Sequence, residues 1–274
     1  MAMSRWIVDT PQRLDFDRVT ELNVRLAAGT VAVLASDDDE PSVVISELTG
    51  RPLQVSLEDR VLTISYESLT WDGLLGFLKP RRDQVAVTVT VPAECASQVG
   101  VLSASAVVCG LRSGASVKSM SGEITLDGVT GNVDAETMSG EIAARDIDGA
   151  IRFKSMSGGL TLASGLLSSL AANTVSGQVT ADVALDGSGT MNVSTMSGEV
   201  TLRLPADSDA RVRLQSTSGA VRTEFDSLRT VKAPASHTVS GNVGAGTGHV
   251  SVTTMSGAVT LLRRAPVGME SKTQ

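Results

Sequence analysis

A short motif dominates the amino-acid sequence from residue 119 onward: Ser or Thr, then Met, Val or Thr, then Ser-Gly. The first three copies begin 18 residues apart and the later ones 16 to 22 apart, so the chain has the period of a repeat protein. A unit this short has room for two or three strands and no room for a helix between them. Eight copies are present, and they begin at Ser119, Thr137, Ser155, Thr174, Thr195, Ser216, Thr238 and Thr254.

Apolar and polar residues alternate within each unit. Residues 129–144 align without a gap on residues 147–162, and each segment contains two alternating runs separated by Gly-containing corners. This is the periodicity of strands. Neighbouring strands lie about 4.8 Å apart, so such units stack most simply as coils of a β-solenoid. Alignment back by 18 residues adds a degenerate coil at residues 103–110, and the sequence therefore predicts an all-β solenoid of about nine short coils.

Two hydroxyl columns follow from this stacking. The Ser or Thr that opens each motif is predicted to face inward, and the Ser of each Ser-Gly pair forms a second column. Stacked hydroxyls both donate and accept hydrogen bonds, so we expect a satisfied polar ladder. No general base recurs beside these serines, which argues against their being nucleophiles.

The orientation of the second motif position stays open. Alternation counted from Val133 through Thr137 places it outside, whereas alternation counted back from Ala144 through Gly140 places it inside. We favour a bend after the first motif residue, with methionine inward as core filler. An exposed methionine stripe would instead mark a binding or assembly surface. The column in question contains Met120, Met138, Met156, Val175, Met196, Val239 and Met255.

The part of the chain before the repeats has a different pattern. Residues 1–92 contain strand-like runs separated by turn residues, without the Ser-Gly motif. We predict an antiparallel β lead-in domain over residues 1–92, the solenoid over 93–264 and a disordered tail over 265–274.

One segment, residues 69–82, interrupts the strand pattern with large apolar residues followed by a basic cluster. The first interpretation, which we favour, is a cap over an open solenoid edge. The second is an anchor that contacts a partner or a membrane surface. The candidate contact residues are Leu69, Trp71, Leu74, Leu75, Phe77, Leu78, Lys79, Arg81 and Arg82.

Charge and composition limit the partners and the compartment. The net charge of −7 argues against a nucleic-acid partner, which requires a basic face. No segment has the pattern of a signal peptide or a transmembrane helix, so we expect a cytoplasmic protein, with peripheral membrane association as an alternative. Cys95 and Cys109, the two cysteines, lie outside any CxxC spacing and suit a reducing compartment.

We find no pattern of catalytic, metal-binding or cofactor-binding residues. His237 and His249 are the two histidines, and no matching set of cysteines or carboxylates accompanies them. The Ser-Gly pairs lack the spacing of a phosphate loop. The sequence therefore predicts no enzyme activity, no metal and no cofactor.

The chain resembles a bacterial family known as "putative adhesin", a β-strand-repeat domain of unknown function. The resemblance rests on the β-rich lead-in from Trp6 to Pro92, on the Trp-Asp-Gly-Leu-Leu-Gly segment at residues 71–76 and on the iterated Ser-Gly units. It implies a β-helical fold with no known enzyme activity, and it links some relatives to cell-envelope stress. An adhesin must leave the cell, and the sequence shows no export signal.

Three functional hypotheses remain. The first is a non-enzymatic interaction scaffold, linked by the resemblance to envelope stress, that uses the segment at 69–82 or the solenoid flank to bind an unknown protein or a second copy. The second is a structural protein whose solenoid ends stack into filaments. The third is a carbohydrate-binding or carbohydrate-active β-helix, which would need convergent acids that the pattern does not show.

Overall fold

The computed structural model describes residues 3–37, 40–66, 83–233 and 236–265. Every helix or strand in these ranges is a β-strand, so the all-β prediction is confirmed. No helix able to cross a bilayer occurs in the same ranges. The chain forms two compact units, residues 1–147 and 148–274. The domain boundary proposed at residue 92 falls inside the first unit and stays a prediction, and the tail proposed at 265–274 lies outside the described residues apart from Ala265.

The first unit contains two hydrogen-bonded ladders of strands. One ladder has the order β1-β6-β7-β3-β9-β11-β13 and the other the order β2-β5-β8-β4-β10-β12-β14. The strands are β1 Met3–Val8, β2 Gln12–Asp15, β3 Glu21–Leu26, β4 Gly29–Ser36, β5 Ser42–Thr49, β6 Leu53–Glu58, β7 Val61–Tyr66, β8 Gln84–Pro92, β9 Ala96–Val101, β10 Ser105–Cys109, β11 Ala115–Ser119, β12 Ile124–Asp127, β13 Thr130–Thr137 and β14 Ile142–Ser155, which continues into the second unit.

The predicted antiparallel lead-in is not confirmed. Strands β7 and β8 pair in parallel with β3 and β4 and form coils with them. The remaining strands, β1, β2, β5 and β6, pair antiparallel at the end of the ladders, where β6 joins β7 and β5 joins β8. The coils are also out of chain order. The coil of β3 and β4 lies between the coil of β7 and β8 and that of β9 and β10. The later coil of β7 and β8 therefore stacks on one side of this coil, and the chain continues from β9 on its other side.

The second unit has the same construction. One ladder has the order β15-β16-β22-β18-β21-β20, and the other joins the first halves of β15 and β16 to β17, β23 and β19. Strands β15 and β16 take part in both ladders because a register shift near Leu166 bends them. The strands are β15 Leu160–Thr174, β16 Val179–Thr195, β17 Val200–Pro205, β18 Ala210–Ser216, β19 Val221–Thr223, β20 Arg229–Ala233, β21 Ser236–Val243, β22 Gly248–Thr254 and β23 Val259–Arg264.

The motif copy at Thr238 is not a solenoid coil. It lies in β21, which pairs antiparallel with β18 and with β20 at the end of the ladder. The coil of β22 and β23 is instead inserted between the coil of β16 and β17 and that of β18 and β19. The predicted count of nine stacked coils is therefore not confirmed, because one of the eight motif copies belongs to an antiparallel end strand.

Alternating residues of these strands form the core. In β8, Val85, Val87, Val89 and Val91 are each at most 2% exposed, and the residues between them are partly exposed. Burying one valine side chain stabilises the fold by about 1.5 kcal/mol or more. Alternate β-branched residues of such a strand thus face the interior of the coil and form its core.

Candidate functional site

Most motif copies fold into the same corner at the end of a strand, whereas the copy at Thr238 lies within β21. The opening Thr or Ser is buried, as predicted, in six of the eight copies and half-buried at Ser155 and Thr238. In five copies its hydroxyl oxygen accepts a hydrogen bond from the N–H of the motif glycine three residues later, whereas the Ser119 hydroxyl donates to the carbonyl oxygen of Gly122 at 2.7 Å. In the copy at Thr195 this N···O distance is 2.8 Å, and at Thr254 it is 2.9 Å. The predicted ladder of hydroxyls bonded to one another is wrong at these copies, because the hydroxyl satisfies the backbone of its own corner. The five such pairs are Thr137–Gly140, Thr174–Gly177, Thr195–Gly198, Ser216–Gly219 and Thr254–Gly257.

The motif glycine is required for space. None of the glycines at 122, 140, 177, 198, 219 and 257 has a positive φ. A Cβ added to Gly198 would lie 2.0 Å from the carbonyl oxygen of Gly177 in the neighbouring coil. A Cβ on Gly257 would lie 1.9 Å from the carbonyl oxygen of Gly198. Successive coils therefore pack glycine on glycine at these copies, where a Cβ would clash with the backbone of the adjacent coil.

The serine before each glycine is exposed and connects one coil to the next. The N–H of Ser176 donates to the carbonyl oxygen of Met156 at 3.0 Å, and its hydroxyl donates to the same oxygen at 3.3 Å. Ser256 makes the same pair of bonds to the carbonyl of Met196, at 3.0 and 3.4 Å. The serines of this second column therefore bond to the backbone of the adjacent coil and not to one another, as the hydroxyl ladder of the sequence analysis required.

The second motif position faces solvent, and the favoured inward orientation of the methionines is wrong. In the second unit, Met156, Val175, Met196 and Met255 are 58, 44, 53 and 58% exposed. They lie on successive coils, because Thr174 pairs with Thr195 and Thr195 with Thr254, and the N–H of Val175 bonds to the carbonyl of Ser155. We call these four residues the methionine stripe. Val239 departs from the pattern and is fully buried in the antiparallel end strand.

The first unit carries the same feature at its own motifs. Met138 is 50% exposed, and Met120 is partly exposed. The N–H of Ser139 donates to the carbonyl of Met120 at 2.9 Å, so these two corners stack as those of the second unit do.

The family model of the Toastrack domain, DUF4097, matches residues 19–262. The chain belongs to the Toastrack family. The match covers every motif copy, and the all-β, solenoid-like fold described above is the fold of this family. The resemblance to the "putative adhesin" family is thereby confirmed.

Solved structures similar to this Toastrack chain have low sequence identity. A structure titled a putative adhesin from Parabacteroides distasonis is 13% identical, with a TM-score of 0.44, over 96% of this chain and 97% of that one. One titled a putative adhesin from Bacteroides fragilis is 11% identical, with a TM-score of 0.44, over 93 and 98%. One titled a putative lipid binding protein from Parabacteroides distasonis is 14% identical, with a TM-score of 0.40, over 92 and 97%. No functionally curated sequence matches the chain.

The predicted contact segment lies outside the described residues. Leu69, Trp71, Leu74, Leu75, Phe77, Leu78, Lys79, Arg81 and Arg82 all fall in the range 67–82, which the structure does not describe. The structure does describe the residues that border this range, Tyr66 at the end of β7 and Asp83 just before β8.

Arg51 contacts both border residues, and the sequence analysis did not identify it. Its side chain donates to Asp83 Oδ2 from Nε at 2.8 Å, and its guanidinium carbon lies 5.1 Å from the centre of the Tyr66 ring. Its backbone N–H donates to Asp83 Oδ1 at 3.1 Å. Burial, and then the charge of Asp83, raises the pKa of Tyr66 to about 12. Arg51 is one residue of a turn with no recurring pattern, so no sequence signal indicated it.

Two aspartates of the Toastrack ladders pair with arginines of other strands in the same ladder. Asp182 contacts Arg203 and Arg264, and Asp127 contacts Arg145. The hydrogen bond from Arg203 lowers the pKa of Asp182, and the one from Arg145 lowers the pKa of Asp127. These carboxylates therefore stay ionised near neutral pH and stabilise coil stacking, instead of converging on a cleft as sugar cleavage would require.

Burial makes both cysteine thiols weakly reactive. Burial raises the pKa of the Cys95 thiol to about 11, although a hydrogen bond with Ser97 opposes the shift, and burial also raises the pKa of Cys109. Both are free thiols, and both are overwhelmingly protonated near neutral pH. In the described ranges, no group of three or more His, Cys, Asp or Glu residues is placed to hold a metal ion.

Proposed function

We propose that this Toastrack chain is a non-enzymatic interaction scaffold that binds a protein partner along the methionine stripe. The observation that carries the proposal is the exposure of four large apolar side chains in one line on consecutive coils. Single exposed apolar residues are ordinary on protein surfaces, whereas a contiguous row marks an interaction site. Core positions were available to methionine in this fold, since Met191 is fully buried.

Methionine suits such a contact. Its unbranched, polarisable side chain adapts to the shape of a partner, and methionine-rich surfaces are used where an apolar segment is bound. The backbone beneath the stripe is held independently of the side chains, because the carbonyls of Met156 and Met196 accept bonds from the serines of the next coil. A rigid backbone with adaptable side chains lowers the cost of ordering the surface on binding.

The spacing of the stripe favours an amphipathic helix as the occupant. Adjacent stripe residues are one strand spacing apart, about 4.8 Å, and one turn of a helix rises about 5.4 Å. Four stripe residues therefore match four turns with a cumulative mismatch of about 2 Å, which flexible methionine side chains absorb. An extended strand would present its same-side residues about 6.6 Å apart and would lose this match after two residues.

Site-specific photo-cross-linking tests the proposal. A benzophenone amino acid replaces Val175 in the protein produced in its native cells, and Asp207, an exposed turn residue of the same unit, is the matched control position. We expect one discrete cross-linked species from position 175 and none from position 207. A Met196→Glu substitution should abolish the cross-link, because a charge beside the site opposes burial of the stripe.

The identity of the cross-linked residue decides the outcome. Mass spectrometry should locate it on a partner segment whose apolar residues recur at intervals of three and four. A cross-link to another copy of this chain would show that the stripe mediates self-association and does not bind a different protein. Equal background from positions 175 and 207 would overturn the proposal.

The two interpretations of residues 69–82, the favoured cap and a second contact surface, predict different effects on stability. A contact surface can lose its aromatic residues without loss of stability, whereas a cap cannot. If the segment is a contact surface, the double variant Trp71→Ser, Phe77→Ser keeps a thermal midpoint within about 2 °C of wild type. Size-exclusion chromatography with light scattering shows whether any assembly of the wild type dissolves in the variant.

The control is Ile7→Ser, which removes an apolar side chain that is 64% exposed in an end strand. Should the double variant fall well below this control in thermal midpoint, residues 69–82 are a cap for the solenoid end and not a contact surface.

A further inference from the structure

Two opposite environments hold the described methionines of the second unit. Met156, Met196 and Met255 are between 53 and 58% exposed, whereas Met191 is 0% exposed. Met191 pairs with Val250 inside the ladder and belongs to the core. Among the residues that the structure describes, this unit therefore has three exposed methionines in its stripe and one methionine that the fold protects.

The accessible methionines are held by their backbones and not by their side chains. The carbonyl of Met255 accepts bonds from the N–H of Ser218 at 3.0 Å and from its hydroxyl at 3.2 Å, as the carbonyls of Met156 and Met196 do from their own serines. The corners of Met196 and Met255 are fixed in addition by the buried Thr195 and Thr254, which are 8 and 1% exposed. The polarity of the stripe side chains can therefore change while the coil stack stays intact.

We propose that the methionine stripe is an oxidation site, where a peroxide or hypohalous acid converts the exposed thioethers to sulfoxides and so switches off the apolar surface. With hydrogen peroxide, a sulfur lone pair attacks one peroxide oxygen and the O–O bond breaks. The sulfur loses two electrons and gains the oxygen as a hydroxyl group, and the proton of this hydroxyl passes to the departing hydroxide, which leaves a sulfoxide and water. Each sulfoxide is polar, and sulfoxide reductases can reverse it.

This inference rests on the proposed function, because the surface that it controls is the one assigned to the partner. The expected consequence is release of the partner under oxidising conditions without unfolding of the scaffold. Val175 in the middle of the stripe cannot be oxidised in this way, so the change is confined to the three methionines around it. Met138 of the first unit, 50% exposed, should react as they do.

Site-resolved oxidation kinetics test the inference on the full chain alone. The protein is treated with hydrogen peroxide, and the sulfoxide fraction of each methionine is followed by peptide mass spectrometry. We expect Met156, Met196 and Met255 to react at least about tenfold faster than Met191. The thermal midpoint should fall by less than about 2 °C at full oxidation of the stripe, and retention on a hydrophobic-interaction column should decrease.

The matched variant replaces Met156, Met196 and Met255 with leucine, which keeps the stripe apolar and removes the oxidisable sulfur. On peroxide treatment its column retention should decrease much less than that of the wild type, because Met138 of the first unit still oxidises in both proteins. The inference is overturned if Met191 reacts as fast as the stripe, if oxidation unfolds the wild type, or if retention changes equally in both proteins.

The outcomes separate this inference from the proposed function. Oxidation rates and column retention need no partner, so they stand or fall independently of the cross-link from position 175. If the cross-link forms and survives oxidation, the partner site is retained and the switch is rejected. If the kinetics hold and no cross-link forms, the stripe is oxidisable but is not the partner site, and the switch of partner binding is rejected.

Discussion

Replacing Gly198 with alanine is expected to lower the free energy of unfolding by about 3 kcal/mol and the thermal midpoint by roughly 10 °C. The new Cβ would lie 2.0 Å from the carbonyl oxygen of Gly177 and 2.8 Å from the hydroxyl oxygen of Thr195. The first of these atoms is backbone of the neighbouring coil, so it cannot move without the residues on either side of it. Relief of the clash requires separating two coils, which loosens the packing between the stacked motif glycines.

The control for this substitution is Gly187→Asn. Gly187 has a φ of +43° and nothing within 4 Å of the position of a Cβ, so asparagine meets only a backbone conformation that it tolerates. We expect a loss below about 1 kcal/mol. Thermal unfolding followed by circular dichroism compares the two variants. Equal midpoints for Gly198→Ala and Gly187→Asn would show that the glycine column is not closely packed.

The solenoid-like fold could be predicted from the sequence because its signal is local and repeated. A period near 18 residues predicts how far apart in sequence two stacked residues lie. Register pairs such as Ala106 with Ile124 have this separation. The burial of the opening Ser or Thr followed from the same alternation. The hydrogen-bond partner of this hydroxyl could not be predicted in the same way. Its bond to the glycine N–H of its own corner depends on the angle of the corner and not on the stacking of the coils.

The orientation of the methionines was mispredicted because the corner interrupts the alternation. In the copy at Thr137, the four motif residues are buried, exposed, exposed and buried in turn. Two successive exposed residues, Met138 and Ser139, reset the phase between the strands. Alternation counted from Val133 is therefore correct up to Met138, and alternation counted back from Ala144 is correct only to Gly140. A period-two pattern alone does not show where such a reset occurs.

The order of the coils could not be predicted from the sequence pattern, for a different reason. Strands of one repeat fit equally well beside any neighbouring copy, so period and alternation do not indicate that β22 lies between β16 and β18. The same holds for β3 between β7 and β9. Contacts between residues far apart in sequence, such as Arg51 with Asp83, lack any local pattern and needed the structure.

Replacing Arg51 with leucine is expected to destabilise the protein by about 3 kcal/mol at neutral pH. The Asp83 side chain is 7% exposed, and Nη2 of Arg51 lies 2.7 Å from its Oδ2. Loss of the guanidinium leaves a buried carboxylate without its countercharge and removes the cation from the face of Tyr66. The exposed pair Arg13–Asp15, with side chains 60 and 68% exposed, supplies the control, and Arg13→Leu should cost less than about 1 kcal/mol.

A double-mutant cycle with Asp83→Asn separates the charge from the packing. The amide keeps an acceptor for the N–H of Arg51 or its leucine replacement and carries no charge, so the double variant Arg51→Leu, Asp83→Asn should be more stable than Arg51→Leu alone. Denaturant unfolding of the four proteins gives the coupling energy. Additive losses would show that the two side chains contribute independently. A large coupling would establish that Arg51 and Asp83 stabilise the fold as a pair, and that the buried carboxylate depends on the guanidinium.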